Sequence, residues 1–141
     1  MNAVELPRGS CRPEALLLAL LPVAVLLALF ASVRSIITRE PQLSIQSPSG
    51  RFQMQKVSLG PLSNLVYLRI RDSQAPHTVF RTPLFEDRYT DMRPHEDDTT
   101  VGTYWIDFDK QKRSFEIGVP EWRENWLNTF ISNAPYSINE N

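Results

Sequence analysis

Residues 15–33 read ALLLALLPVAVLLALFASV, nineteen residues without a charge. At about 1.5 Å per residue such a helix reaches roughly 28 Å, close to the hydrocarbon thickness of a bilayer. It has no polar face, so it is a poor candidate for a core helix with one side in water. Pro22 would break a soluble helix and is tolerable in a membrane-spanning one. The reading is a transmembrane helix over 15–33, preceded by a short tail (1–14) and followed by a tether (34–47) and a domain (48–141). The lipid bilayer is thus the first expected partner, through residues 15–33.

Two other anchors compete with this one. A cleaved signal peptide needs small residues just after the apolar run. The candidate sites end at Ala31 or Ser32, with Leu29 or Phe30 where a small side chain belongs. A lipoprotein anchor needs its cysteine after the run, and the one cysteine, Cys11, comes before it. Orientation is set less firmly. Arg8, Arg12 and the terminal amine on one side nearly balance Arg34 and Arg39 on the other. A short tail, an apolar run and a long domain make the layout of a signal anchor. No cysteine follows residue 34, so an oxidising compartment threatens nothing there. The expectation is a single-pass protein of a bacterial inner membrane, its tail cytoplasmic and its domain periplasmic. Cys11 then lies in a reducing compartment and reads as an unremarkable thiol, ahead of palmitoylation or redox sensing.

From Pro41 onward there are eleven Lys and Arg against thirteen Asp and Glu. A near-neutral domain lacks the clustered basic surface of a nucleic-acid binder. Arg34 and Arg39 alone do not make a polybasic lipid patch. About a hundred residues suffice for one modest core.

Hydrophobic periodicity and turn residues outline that core. Leu43 and Ile45 alternate at the start of a first strand, and Ser47-Pro48-Ser49-Gly50 is a turn signal. Arg51–Val57 continues with Phe52 and Met54. Leu65–Arg71 is the cleanest period-two run, with Val66, Leu68 and Ile70 inward and Tyr67, Arg69 and Arg71 outward. A turn over Asp72–Pro76 leads to a short strand around Val79. Residues 83–98, PLFEDRYTDMRPHEDD, read as a long polar surface loop. Thr99–Asp109 reads as one strand. It turns at Asp109-Lys110-Gln111-Lys112 into Arg113–Val119, pairing Ile106 and Phe108 with Phe115 and Ile117. In Pro120–Ser132 the period changes: Trp122, Trp126 and Phe130 recur every four residues, the mark of a short amphipathic helix stopped by Asn133 and Pro135. The fold class expected is α+β: a transmembrane helix, then a small, mostly antiparallel β-sheet domain with a short C-terminal amphipathic helix.

Few residues invite chemistry. Glu86, Asp87, Asp91, Glu96, Asp97 and Asp98 crowd one loop, but Arg88 and Arg93 interrupt them and no EF-hand spacing is present. His77 and His95 lack zinc-site company. There is no GxSxG elbow and no Gly-rich phosphate loop. Asp107 and Asp109, or the region of His95, carry only a weak hydrolase reading. No cofactor, metal or small-molecule substrate is expected. Aromatic residues crowd the last third, as core or, where exposed, as interface anchors. The expectation is a non-enzymatic interaction module of the cell envelope. Its surface for a protein partner would be Glu86, Asp87, Asp91, Glu96, Asp97, Asp98 and Trp122. Narrower versions are an immunity protein against a periplasm-delivered toxin, where an acidic loop would steer toward a basic active-site mouth, and an accessory subunit of an envelope or secretion complex.

Overall fold

The computed structural model describes residues 13–139, with side chains from residue 18 onward. The expected tail lies outside the described residues up to residue 12, and Cys11 with it. The chain divides into two compact units, one ending at Arg34 and one beginning at Ser35.

The first unit is made of helix α1 (Pro13–Ile37), whose last three residues belong to the second unit. Leu18, Leu21, Leu26 and Phe30 are all more than 60 % exposed, so the helix presents apolar side chains outward. Leu18–Ile37 is long and apolar enough to cross a membrane, consistent with a single-pass anchor. The Ser32 hydroxyl donates to the Ala28 carbonyl at 2.8 Å, which satisfies it without water.

The second unit joins two five-stranded sheets. In the first, β1 (Leu43–Gln46), β2 (Phe52–Ser58), β3 (Leu65–Asp72) and β4 (Ala75–Arg81) form an antiparallel meander. The Ser47–Gly50 turn forms as expected: Gly50 N–H donates to the Ser47 carbonyl at 2.8 Å, and Gly50 takes φ +74°. The free edge of β3 is shared, with β4 along Arg69–Asp72 and β5 (Phe85–Glu86) along Leu65 and Val66. Between them Pro83 has no N–H to offer. Thr82 fills the gap, its backbone N–H donating to the Leu68 carbonyl and its hydroxyl accepting from Leu68 N–H, both at 3.0 Å.

The second sheet runs β6 (His95–Glu96), β7 (Thr100–Thr103), β8 (Ile106–Asp109) and β9 (Ser114–Ile117), antiparallel, with β10 (Tyr136–Ile138) parallel to β9. One apolar cluster draws on both sheets: Phe52, Met54, Val66, Leu68 and Ile70 meet Val101, Ile106, Phe108, Phe115 and Ile117. The rings of Phe80 and Phe108 lie 4.6 Å apart across the interface.

The hairpin register pairs Ile106 with Ile117 and Phe108 with Phe115, as the alternation requires. Four expectations need correction. Thr99–Asp109 is two strands joined at Tyr104-Trp105, because Gly102 lets the backbones close. A Cβ there would stand 2.0 Å from the Ile106 carbonyl oxygen. Residues 83–98 are not a free loop: β5, a 3₁₀ turn at Asp87–Tyr89 and β6 carry the chain from the first sheet to the second. The C-terminal helix is the single turn α2 (Asn128–Ile131). Upstream, Glu121 takes φ +52° and the Asn125 side chain accepts the Leu127 N–H at 2.9 Å, both incompatible with a continuous helix.

The fourth concerns β3, which is buried on both faces. Tyr67 and Arg69 are 0 % and 4 % exposed, under a second cluster of Val57, Leu84 and Ile131 with Ile36, Ile37, Leu59 and Leu127 around it. The Arg69 guanidinium donates to the carbonyls of Ile37 (2.9 Å) and Arg39 (3.0 Å) and to the Tyr67 hydroxyl (3.1 Å). Tyr67 in turn donates to the Ile36 carbonyl at 3.1 Å. Carbonyls at a helix end lack intrahelical partners, and here a buried cation supplies them.

Two substitutions test this architecture by thermal denaturation of the full chain in detergent. Gly102→Ala should cost about 2 kcal/mol or more through overpacking against backbone; an unchanged midpoint would mean β7 and β8 do not approach this closely. Arg69→Met should cost about 3 kcal/mol by orphaning buried carbonyls; a variant as stable as the parent would remove the guanidinium from any structural role.

Candidate functional site

The segment after β9 crosses the end of the second sheet and is tied down by two carboxylates. Gly118 N–H donates to the Trp105 carbonyl at 2.8 Å, and Val119 is buried. Glu121 follows in the left-handed region, a conformation costing a non-glycine residue about 1 kcal/mol. Its carboxylate accepts from Arg88 at 2.7 Å and from the Tyr89 hydroxyl at 3.2 Å. Arg88 also pairs with Glu86 at 2.7 Å and stands 4.6 Å over the Tyr89 ring. Glu124 accepts from Asn128 (2.5 Å), the Tyr136 hydroxyl (2.9 Å) and the Trp122 indole (3.4 Å). Burial pushes the Glu124 carboxyl up, but these three bonds outweigh it and hold it below the ordinary carboxylate range. Burial and the Glu124 charge raise the Tyr136 hydroxyl.

Trp122 is thereby fixed between two concavities. One, of about 250 Å³, is lined by Leu65, Glu86, Tyr89, Glu121, Arg123 and Asn125. The other, of about 500 Å³, is lined by Trp105, Gly118, Pro120, Ile138 and Asn139. Val119, Glu121 and Trp122 line both, so the two concavities adjoin along these residues and make a two-part aromatic groove on either side of Trp122. Trp122 is half-buried, its ring 6.3 Å from that of Tyr136. A groove of apolar and aromatic walls with a few fixed charges accepts an apolar side chain or a short peptide.

The sequence-derived surface divides on this geometry. Trp122 and Glu86 line the groove. Asp87 faces away to bond Lys56 (2.8 Å) and Thr90 (3.0 Å), and the Lys56 bond holds it below the usual range. Asp91 is paired with Arg93, whose bond lowers it. Asp97 accepts from the backbone N–H groups and hydroxyls of Thr100 and Thr99, which closes the turn into β7 and lowers its carboxyl. Asp98 is exposed and has no partner among the described residues. With Glu96 and Asp97 it borders a shallow depression together with Pro48, Ser49 and Lys110.

Glu96 ties the two sheets. It accepts from the Ser49 backbone N–H (3.0 Å), in the β1–β2 turn, and from Lys110 (2.9 Å), in the β8–β9 turn. Burial raises its carboxyl, and the bonds from Lys110 and Ser49 more than reverse this, leaving it at about 2.

His95 and Asp107 also meet. His95 pairs with Gly102 and Gly102 with Asp107, so the three form a row across β6, β7 and β8. Glycine leaves the row open in the middle, and the imidazole Nε2 contacts the Asp107 carboxylate through the gap. Asp109 is turned aside instead. It accepts from the N–H groups of Lys112 (2.7 Å) and Gln111 (2.9 Å), which lower its carboxyl. No three metal-ligating side chains converge among the described residues.

Trp105, Tyr89 and Glu121 complete the groove and were not singled out as site residues from the sequence. Their assembly depends on the 88–121 and 89–121 contacts, which no local pattern announces. No protein-family model matches the chain, and neither a curated protein nor a solved structure is similar to it.

The Glu96 tie has a pH signature. Its folded value of about 2 lies below the ordinary 4.5, so its stabilisation is complete above 4.5 and is lost as pH falls from there toward 2. With its side chain only 9 % exposed, the contribution is on the order of 2 kcal/mol. Glu96→Gln should therefore shrink the drop in midpoint temperature between neutral pH and pH of about 3. Parallel curves for parent and variant would show the carboxylate to be unimportant.

Proposed function

We propose that the chain is a membrane-anchored, non-enzymatic interaction module of the bacterial cell envelope. The unit from Ser35 onward is exported and binds a protein partner through the groove around Trp122. One observation carries this reading: a tryptophan held half-buried between two concavities by a strained, doubly tethered loop. Backbone strain persists where the surroundings over-determine it, and such places cluster at binding sites. Tryptophan in a partly desolvated setting is the residue type that dominates interface energies. An anchor adds effective concentration to a partner in the same membrane, so a small groove suffices. An exported position suits the unit, because no cysteine follows residue 34 for an oxidising compartment to attack.

Photo-crosslinking in cells tests the reading. A crosslinking residue in place of Arg123, which lines the groove, should yield a discrete adduct, and adding Trp122→Ala should reduce it about tenfold or more, as for a hot spot. The same residue in place of exposed Lys112 should yield none. Identical adducts from both positions, or an adduct indifferent to Trp122→Ala, would dismiss the groove. The partner's identity separates a toxin from a subunit of an envelope complex. A phosphatase that matures only outside the cytoplasm, fused after residue 141, should be active; an inactive phosphatase fusion together with an active cytoplasm-only reporter at the same position would reverse the orientation.

A further inference from the structure

Charge is shared unevenly in the smaller concavity beside Trp122. Its lining carries three carboxylates, Glu86, Glu121 and Glu124, against one guanidinium, Arg123. Glu86 and Glu121 both pair with Arg88, which stands outside the lining. Arg123 is exposed and has no partner among the described residues. Glu124 is the one carboxylate of the three that meets no cation there. Its partners are all neutral: Asn128 and the Tyr136 hydroxyl donate to Oε1, and the Trp122 indole donates to Oε2. The bond at Oε2 is the long one, 3.4 Å, so that oxygen keeps room for another donor.

The chain itself shows what a cation does between such walls. Arg88 stands 4.6 Å over the face of Tyr89 and gives its donors to Glu86 and Glu121, each at 2.7 Å. An aromatic face attracts a cation through its quadrupole, and a carboxylate beside the ring adds a charge-assisted hydrogen bond. Trp122 and Glu124 repeat that combination, and no cation stands over the Trp122 ring among the described residues. Tryptophan is the strongest aromatic partner for a cation. The indole N–H is turned to Glu124, so ring and carboxylate are held beside each other. The Glu124 carboxyl lies below its ordinary range and is ionised at neutral pH.

We propose that this concavity is a subsite for a lysine or arginine side chain of the protein partner, its cationic end at Trp122 and Glu124. This rests on the reading of the groove as the partner's binding site, and names what the groove takes. Charge complementarity selects the occupant. An acidic side chain would enter beside three carboxylates, and a purely apolar one would strip water from Glu124 without supplying a cation. A cavity of about 250 Å³ admits one long side chain, its methylene stem along the buried Leu84 and Val119. The adjoining concavity, walled by Trp105 and Ile138, takes an apolar neighbour from the same segment. Arg123 opposes a cation, so affinity is set by Glu124 and Arg123 against one another.

Peptide titration of the full chain in detergent, read at the nuclear magnetic resonance signal of the Trp122 indole N–H, tests this. The probes are acetyl-Ala-Lys-Ala-amide and the same peptide with norleucine or glutamate in place of lysine. The lysine peptide should bind about fivefold or more tighter than the norleucine peptide, whose stem is similar and carries no charge. Glu124→Gln keeps an acceptor for Asn128 and Tyr136 and removes the charge, so it should erase that preference. Arg123→Gln breaks no bond among the described residues and should enlarge it. Lysine and norleucine peptides that bind alike, or no shift with any peptide, overturn the subsite. So does a preference that survives Glu124→Gln or fails to grow with Arg123→Gln. Tighter binding of the glutamate peptide, lost with Arg123→Gln, overturns it in favour of an anion at Arg123. The groove is judged apart from its subsite. With the subsite overturned, a crosslinked adduct at position 123 that depends on Trp122 keeps the groove as a partner site, and loss of that adduct removes both.

Discussion

A buried guanidinium organises the second unit. Arg69 sits in the middle of β3, almost wholly out of water, and a charge so placed is tolerable only when its donors are satisfied. Its described partners are the Gln55 side chain, the Tyr67 hydroxyl and the carbonyls of Ile37 and Arg39. The arginine therefore fixes the first residues of the unit against the outer face of β3. That face becomes a second apolar cluster instead of a solvated surface. Leu127 and Ile131 join it, and their exposed neighbours Trp126 and Phe130 are positioned as a consequence. Trp122 in the groove and the exposed Trp126 and Phe130 thus belong to one segment, 118–131, which packs on one side into the cluster and on the other against β10.

Charge is used locally throughout. Arg51 with Asp72, Lys56 with Asp87, Arg93 with Asp91 and Lys110 with Glu96 are each satisfied by a near neighbour. Exposed pairs of this kind contribute little stability. Glu96 differs because its side chain is screened from water and accepts from turns of both sheets, Ser49 in the first and Lys110 in the second. An acidic run in the sequence is consequently not an acidic surface: five of its six carboxylates are committed to turns and pairs, which weakens any long-range steering. The groove depends instead on aromatic area and on a loop that cannot relax, and preorganisation of this sort lowers the entropy lost on binding.

Much of the strand pattern was legible in the sequence. The alternation of Phe52 and Met54, of Val66, Leu68 and Ile70, and of Ile106 and Phe108 with Phe115 and Ile117 reads as core and is core. Ser47-Pro48-Ser49-Gly50 reads as a turn and is one, because proline and glycine set backbone angles locally. Tyr67 and Arg69 were not legible as buried: period two says which residues share a face, and not whether a second layer covers it. The break at Tyr104-Trp105 was missed because the segment was read as one alternating strand, whereas the buried face passes from Val101 and Thr103 to Ile106 and Phe108, a change of parity that only the turn explains. The four-residue recurrence of Trp122, Trp126 and Phe130 suggested a helix that one left-handed residue prevents. Of the candidate site, Trp122 and Glu86 were visible, while Trp105, Tyr89 and Glu121 were not.

By itself the sequence determined the apolar stretch and its length, the near-neutral balance of the domain, the α+β class and most strand positions. Each of these depends on residues close together along the chain: burial by one face of a strand, or the absence of any charge from a helix. Only the tertiary structure decided that the strands divide into two facing sheets, that β3 is covered on both sides, and that Trp122 lies in a groove while Trp126 lies in the open. Those outcomes hinge on contacts between positions some thirty residues apart, such as Arg88 with Glu121 and Arg69 with Ile37. Their energies appear only once the chain has closed the intervening loops, so no local pattern carries them.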